Sequence, residues 1–124
     1  MVFSDLGRGA SFVAVDWVQR SMRQSLGFSP YPGTLNLRLE SGEELDAWRE
    51  IQKLVRGVEI TGPDASFCQA RYFLVEIMGR HRGAVILPAV EGYPADKIEV
   101  IAPLRLKDEL KLEDGDRVTL EFRD

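Results

Sequence analysis

From residue 58 onward the chain is built largely from short β-rich runs, at 67–78, 84–90, 97–101 and 117–122, each bounded by Gly, Pro or charged turn residues. Strands of this length cannot stand alone, and they do not alternate regularly with long helices. That combination favours a mainly β fold, a small closed or nearly closed β-barrel with a few helices packed on it. Closure also removes exposed sheet edges. Upstream, residues 11–15 read as one more strand, and residues 34–39 alternate with period two, so that Leu35, Leu37 and Leu39 face inward.

Two amphipathic helices interrupt this pattern. Asp16 is placed to cap a helix carrying Trp17, Val18, Met22 and Leu26 at helical spacing, with Gly27 as its stop. Ser41 followed by Glu44 has the spacing of a capping box, and Leu45, Trp48, Ile51 and Val55 then mark a second helix that Gly57 can end. A Pro-Tyr-Pro-Gly turn at residues 30–33 leads into the 34–39 strand, and a short helix is expected after Pro103, across residues 104–110.

With 124 residues, 44% of them hydrophobic, and no repeat or low-complexity tract, the chain is expected to form a single domain over 1–124. Sixteen basic against twenty acidic residues leave a net charge of -4, which disfavours a protein that lives by wrapping nucleic acid backbone. One cysteine, Cys68, and one histidine, His81, exclude an intrachain disulfide framework and metal sites built from several cysteines or histidines. No run approaches a membrane span and the first residues lack the layout of a secretory signal, so a cytoplasmic protein without a membrane partner is expected.

Several polar residues stand out from this framework. Gly7 and Gly9 flank Arg8 just ahead of a strand; glycines there let backbone N–H groups approach a phosphate, although taken alone an ordinary turn is the plainer reading. Neither a Walker sequence nor GxGxxG is present. Thr34 and Asn36 occupy alternate strand positions and put a hydroxyl beside an amide oxygen. Two neutral oxygens hold Mg²⁺ only together with substrate phosphates and water; the plainer reading is a strand threonine and a turn asparagine. Glu99 shares a strand face with Lys97 and Ile101, where it is either solvated or positioned as a general base for a substrate hydroxyl. Arg105 and Lys107 suit phosphate contacts or an exposed helix face. His81 lies in a basic hairpin turn, Trp17 and Trp48 fall on apolar helical stripes, and Cys68 reads as a small core residue.

Taken together, residues 6–10 (LGRGA), residues 26–37 (LGFSPYPGTLNL) and residues 98–107 (IEVIAPLRLK) resemble the archaeal CTP-dependent riboflavin kinases, in the same order and over nearly the whole chain. The PYPGTLN block is the most specific part. The resemblance implies a six-stranded cradle-loop β-barrel that transfers the γ-phosphate of CTP to the 5′-hydroxyl of riboflavin, giving FMN and CDP with Mg²⁺ as cofactor. It implies that Leu6, Gly7, Arg8, Gly9 and Ala10 form a first nucleotide loop and Leu104, Arg105, Leu106 and Lys107 a second. Thr34 and Asn36 match the magnesium ligands, and Glu99 matches the flavin-contacting acid. The chain departs from the family pattern in having only residues 1–4 before the first loop, and in carrying Asp5, Arg8 and Glu91 where a glycine, an acid and a flavin-contacting threonine are usual. Two other readings compete: a nucleotide-binding barrel with another acceptor or none, and a DNA-binding protein, since residues 110–120 also resemble the tail of swapped-hairpin transcription factors. The acidic charge balance argues against the last.

Overall fold

The computed structural model describes residues 1–2, 16–31, 33–55, 57–61, 68–89 and 91–123. In chain order these form α1 (Asp16–Leu26), β1 (Leu35–Arg38), α2 (Gly42–Leu54), β2 (Val58–Thr61), β3 (Cys68–Ile77), β4 (His81–Pro88), β5 (Lys97–Ile101), α3 (Leu106–Glu109) and β6 (Leu120–Phe122). The expected strand at 11–15 and the glycine loop at 6–10 lie outside the described residues.

The six strands make one antiparallel sheet in the order β1-β5-β4-β3-β2, with β6 beside β3. The ten-residue β3 organises it. One edge of β3 pairs with β4 from Ala70↔Pro88 to Ile77↔His81. Its other edge is shared, β2 taking the first half and β6 the second. The far side of the sheet is drawn round by Val2, which bridges Leu37 of β1, donates to the Asp116 carbonyl at 2.8 Å and accepts from the Gly115 N–H at 2.9 Å. Main-chain hydrogen bonds thus continue from β1 through Val2 to the segment that enters β6, and the sheet curls into a half-barrel, mainly β with few helices.

Strand alternation sorts the core into two faces. Leu35, Leu37, Phe73, Val75, Val85, Ile98 and Val100 point to one side, where Trp48 of α2 packs edge-on to Phe73 with ring centroids 5.4 Å apart. Ala70, Tyr72, Ala84, Ile86 and Ile101 point to the other, where Met22 of α1 is fully buried among them. Helices on both faces explain why residues 84–86 are a continuous apolar run rather than an alternating one. Leu35 and Leu37 are buried as expected, and Leu39 packs on the edge of the first cluster.

The Ser41 cap of α2 forms, with Ser41 Oγ accepting from the Glu44 N–H at 3.1 Å, while the return bond of the Glu44 carboxylate is to the N–H of Glu40, the residue before the cap. Gly57 does not end this helix, which closes at Val55 with a bond from its N–H to the Ile51 carbonyl. The glycine serves a different need, with φ at +70° and its backbone so close to β3 that a Cβ would lie 2.9 Å from the Tyr72 carbonyl oxygen. Gly83 is demanded still more strongly, since a Cβ there would lie 2.4 Å from the Ile101 carbonyl oxygen on β5. Residues 58–61 form a strand not foreseen in the sequence, too short to show its period clearly, and the last strand covers only Leu120–Phe122 of the expected 117–122. Among the described residues no helix is long and apolar enough to cross a membrane.

Candidate functional site

The turn before β1 is tied down from two sides. Gln19 of α1 donates to the Pro30 carbonyl at 3.1 Å, and the Tyr31 N–H bonds the Ala102 carbonyl at 2.7 Å, just past the end of β5. Gly33 returns its N–H to the Tyr31 carbonyl at 2.7 Å. The start of β1 is thereby locked against the C-terminal end of β5, and Thr34 emerges at that end.

From there the period of two does the placing. Thr34 and Asn36 lie on the same face, and the Thr34 hydroxyl donates to Asn36 Oδ1 at 3.1 Å. In the β1–β5 register Asn36 stands directly opposite Glu99. Directly opposed residues of an antiparallel pair project to the same side of the sheet with Cβ atoms about 5 Å apart. The three residues singled out from widely separated parts of the sequence are therefore neighbours, on the α1 face of the sheet.

Glu99 is 4% exposed and is the one buried charged residue among the described residues. A carboxylate taken out of water costs several kcal/mol unless partners compensate it. Here the Tyr93 hydroxyl donates to Oε1 at 3.0 Å, and Lys97 Nζ lies 3.0 Å from the same oxygen. Lys97 also sits 5.6 Å from the centroid of the Tyr93 ring. Neither partner was singled out in the sequence. Lys97 had a signal, being two residues before Glu99 on the same strand face; Tyr93 had none, because only the folded loop over residues 91–96 brings it back to Glu99.

Whether Thr34 and Asn36 suit a magnesium ion can be judged from their spacing. Adjacent ligands of an octahedral Mg²⁺ at about 2.0–2.1 Å are separated by about 2.9 Å. The 3.1 Å between the two oxygens fits that spacing, and both are hard neutral donors. The residues fit the ion, with the remaining positions left to phosphate and water.

Residues 104–107 follow β5 at its Thr34 end. Leu106 is 4% exposed, and Leu104 and Leu106 both pack on the core face that holds Trp48. Their side chains are thus committed to packing, and main-chain groups are what they can offer a ligand. Arg105 and Lys107 point outward and are held by acids, Arg105 Nη1 2.6 Å from Asp108 Oδ1 and Lys107 Nζ 3.5 Å from Asp114 Oδ1. Leu6, Gly7, Arg8, Gly9 and Ala10 lie outside the described residues, as do the side chains of Trp17 and Cys68. Trp48 is core, as expected, and His81 opens β4 directly after the Arg80 turn. A cleft of about 210 Å³ between α2, β1 and β6 is lined by Leu37, Trp48, Ile98 and Phe122, on the face of the sheet opposite Glu99.

Comparison with known proteins bears on this arrangement. A family model for CTP-dependent riboflavin kinases, described as "Domain of unknown function DUF120", matches residues 2–122. A protein of Archaeoglobus fulgidus named riboflavin kinase is 41% identical over 123 residues, covering 97% of this chain and 52% of that protein. Riboflavin kinases of Aeropyrum pernix and Methanococcoides burtonii are each 37% identical and match 99% of this chain, but 92% and 55% of their own lengths. The chain thus spans about half the length of two of these relatives and nearly all of the third. On a match that runs almost from end to end and includes both strands of the Thr34, Asn36 and Glu99 constellation, the chain belongs to the CTP-dependent riboflavin kinase family, a family of phosphotransferases.

Proposed function

We propose that residues 1–124 act as one riboflavin kinase unit in the cytoplasm, moving the γ-phosphate of CTP to the 5′-hydroxyl of riboflavin and releasing FMN and CDP. The observation that carries this reading is the β1–β5 register, which sets Asn36, whose side chain is hydrogen-bonded by Thr34, directly across from Glu99. Phosphoryl transfer asks little covalent chemistry of a protein; it asks that donor phosphate and acceptor hydroxyl be held in line and that charge be neutralised. Two neutral oxygens and a buried carboxylate on adjacent strands meet the two halves of that demand.

In this reading Thr34 and Asn36 hold Mg²⁺, which supplies charge neutralisation to the phosphates when bound. The loop of Leu6, Gly7, Arg8, Gly9 and Ala10 and the segment of Leu104, Arg105, Leu106 and Lys107 hold the nucleotide. The second segment suits the role because it lies at the Thr34 end of β5, with Arg105 and Lys107 outward. Glu99 lies one step further along, where it accepts a hydrogen bond from the acceptor hydroxyl. As the new bond forms between that oxygen and the γ-phosphorus, the bond to the bridging oxygen of CDP breaks, and the hydroxyl proton passes to the Glu99 carboxylate and on to water. The curated relatives' name, riboflavin kinase, supports the acceptor, and the family's name supports CTP.

The test is direct. Purified protein is incubated with riboflavin, Mg²⁺ and each nucleoside triphosphate in turn, and FMN is separated and quantified. CTP-selective FMN formation is expected. Nucleotide binding with no FMN from any donor would overturn the acceptor assignment, and equal rates with ATP and CTP would overturn the donor assignment.

A further inference from the structure

We infer that Tyr93 and Lys97 are positioning residues for Glu99: together they fix the direction of its carboxylate toward the acceptor hydroxyl, and Lys97 also cancels its charge beside the phosphate site. This rests on the reading of Glu99 as the acceptor-side carboxylate. Both contacts fall on one oxygen, the Tyr93 hydroxyl and Lys97 Nζ each lying 3.0 Å from Oε1. Rotation of the carboxylate breaks both at once, so the direction of Oε2 is set by the pair.

The three groups close on one another, since Lys97 Nζ also lies 5.6 Å from the centre of the Tyr93 ring, within reach of a cation–π contact. Their backbone is fixed as well. The Lys97 N–H bonds the Pro94 carbonyl at 3.3 Å, and the Leu39 N–H bonds the Asp96 carbonyl at 2.8 Å, tying the loop that carries Tyr93 to the exit of β1. This is no surface pair: the side chains of Lys97 and Glu99 are 13% and 5% exposed. At that depth a charge is screened little, and a carboxylate without a counterion opposite Asn36 would repel the triphosphate that Asn36 helps to hold. A neutralised Glu99 keeps an acceptor for the hydroxyl without that penalty.

A purely structural role would be to satisfy a buried carboxylate and nothing more, and kinetics separates the two. Riboflavin phosphorylation is measured at saturating Mg²⁺ for the full chain and its Tyr93→Phe, Lys97→Met, Lys97→Arg, Glu99→Gln and Tyr93→Phe/Glu99→Gln variants. Tyr93→Phe is expected to lower kcat by about tenfold, the scale of one hydrogen bond to a charged group, with the KM for CTP changed by less than about twofold. In the Glu99→Gln background the same change is expected to cost less than about twofold further, because its effect runs through the carboxylate. Lys97→Met is expected to raise the KM for CTP as well as lower kcat, and Lys97→Arg to restore the KM. Since Lys97→Met leaves a buried carboxylate unpaired and can unfold the chain, Tyr93→Phe, which removes one hydroxyl, decides the positioning role when read with Glu99→Gln and the double variant, and Lys97→Arg, which keeps the charge, tests the part played by Lys97. If Glu99→Gln slows turnover while Tyr93→Phe leaves kcat unchanged, or costs as much again in the double variant, the inference fails and the role of Glu99 stands. If Glu99→Gln leaves turnover unchanged, the role of Glu99 fails and the inference with it.

Discussion

Asn36 offers a neutral oxygen 3.1 Å from that of Thr34, and neutral ligands bind a hard divalent ion weakly, so each one counts. Asn36→Ala is expected to weaken Mg²⁺ affinity by at least about tenfold, because even residues that only support a metal ligand cost that much when removed. Asn36 is only half-buried, so the melting temperature of the free protein should stay close to that of the parent. The check is a magnesium titration of FMN formation at fixed CTP; an unchanged half-saturating Mg²⁺ concentration would remove Asn36 from the site. This pair was legible in the sequence because strand alternation alone puts residues two apart on one face. What alternation does not contain is the partner strand. That Asn36 stands opposite Glu99 follows from the register of β1 on β5, set by the Tyr31 to Ala102 bond and the leucines on the opposite face, none of which a spacing of 63 residues reveals.

At the scale of elements the proposed site and helix α2 lie on opposite faces of the sheet, α2 packing on one and the Thr34, Asn36 and Glu99 group lying on the other. Ser41→Ala removes the side chain that accepts the Glu44 N–H at the start of α2 and is expected to cost about 1 kcal/mol. Turnover at a temperature well below the melting transition should not change. Gly83→Ala acts on the opposite footing: its Cβ would meet the Ile101 carbonyl oxygen at 2.4 Å, which only a shift of β5 can relieve. That substitution is expected to cost about 1–3 kcal/mol or more and to lower turnover too, since β5 carries Glu99. Chemical denaturation and steady-state rates on the two variants distinguish the faces, and an equal effect of both on turnover would contradict the separation. Helix α2 was legible from its capping box and apolar stripe, whereas β2 was not. Four residues give too short a window for a period, and Val58 is 43% exposed on a strand that pairs, among the described residues, with β3.

Across the whole molecule the net charge of -4 decides how a nucleotide can be held. CTP with its phosphates is strongly anionic, so under the function proposed above the overall field of the protein would not draw it in, and affinity would have to come from local groups: main-chain N–H donors, cations such as Arg105 and Lys107, and Mg²⁺ when bound. A ligand held that way binds the curled sheet only when it is folded, because Thr34, Asn36 and residues 104–107 come together through β1–β5 pairing. Binding is then linked to folding, and saturation at about 100 times Kd adds about 2.7 kcal/mol to the stability of the native state. For a chain of 124 residues that corresponds to a rise in melting temperature of roughly 10 °C. CTP with Mg²⁺ is expected to give a shift of this size, ATP with Mg²⁺ at the same concentration a clearly smaller one, and CTP with a chelator a smaller one again. Equal shifts for the two nucleotides would mean that the base is not read, and a CTP shift indifferent to the chelator would mean that the phosphates are held without the metal pair.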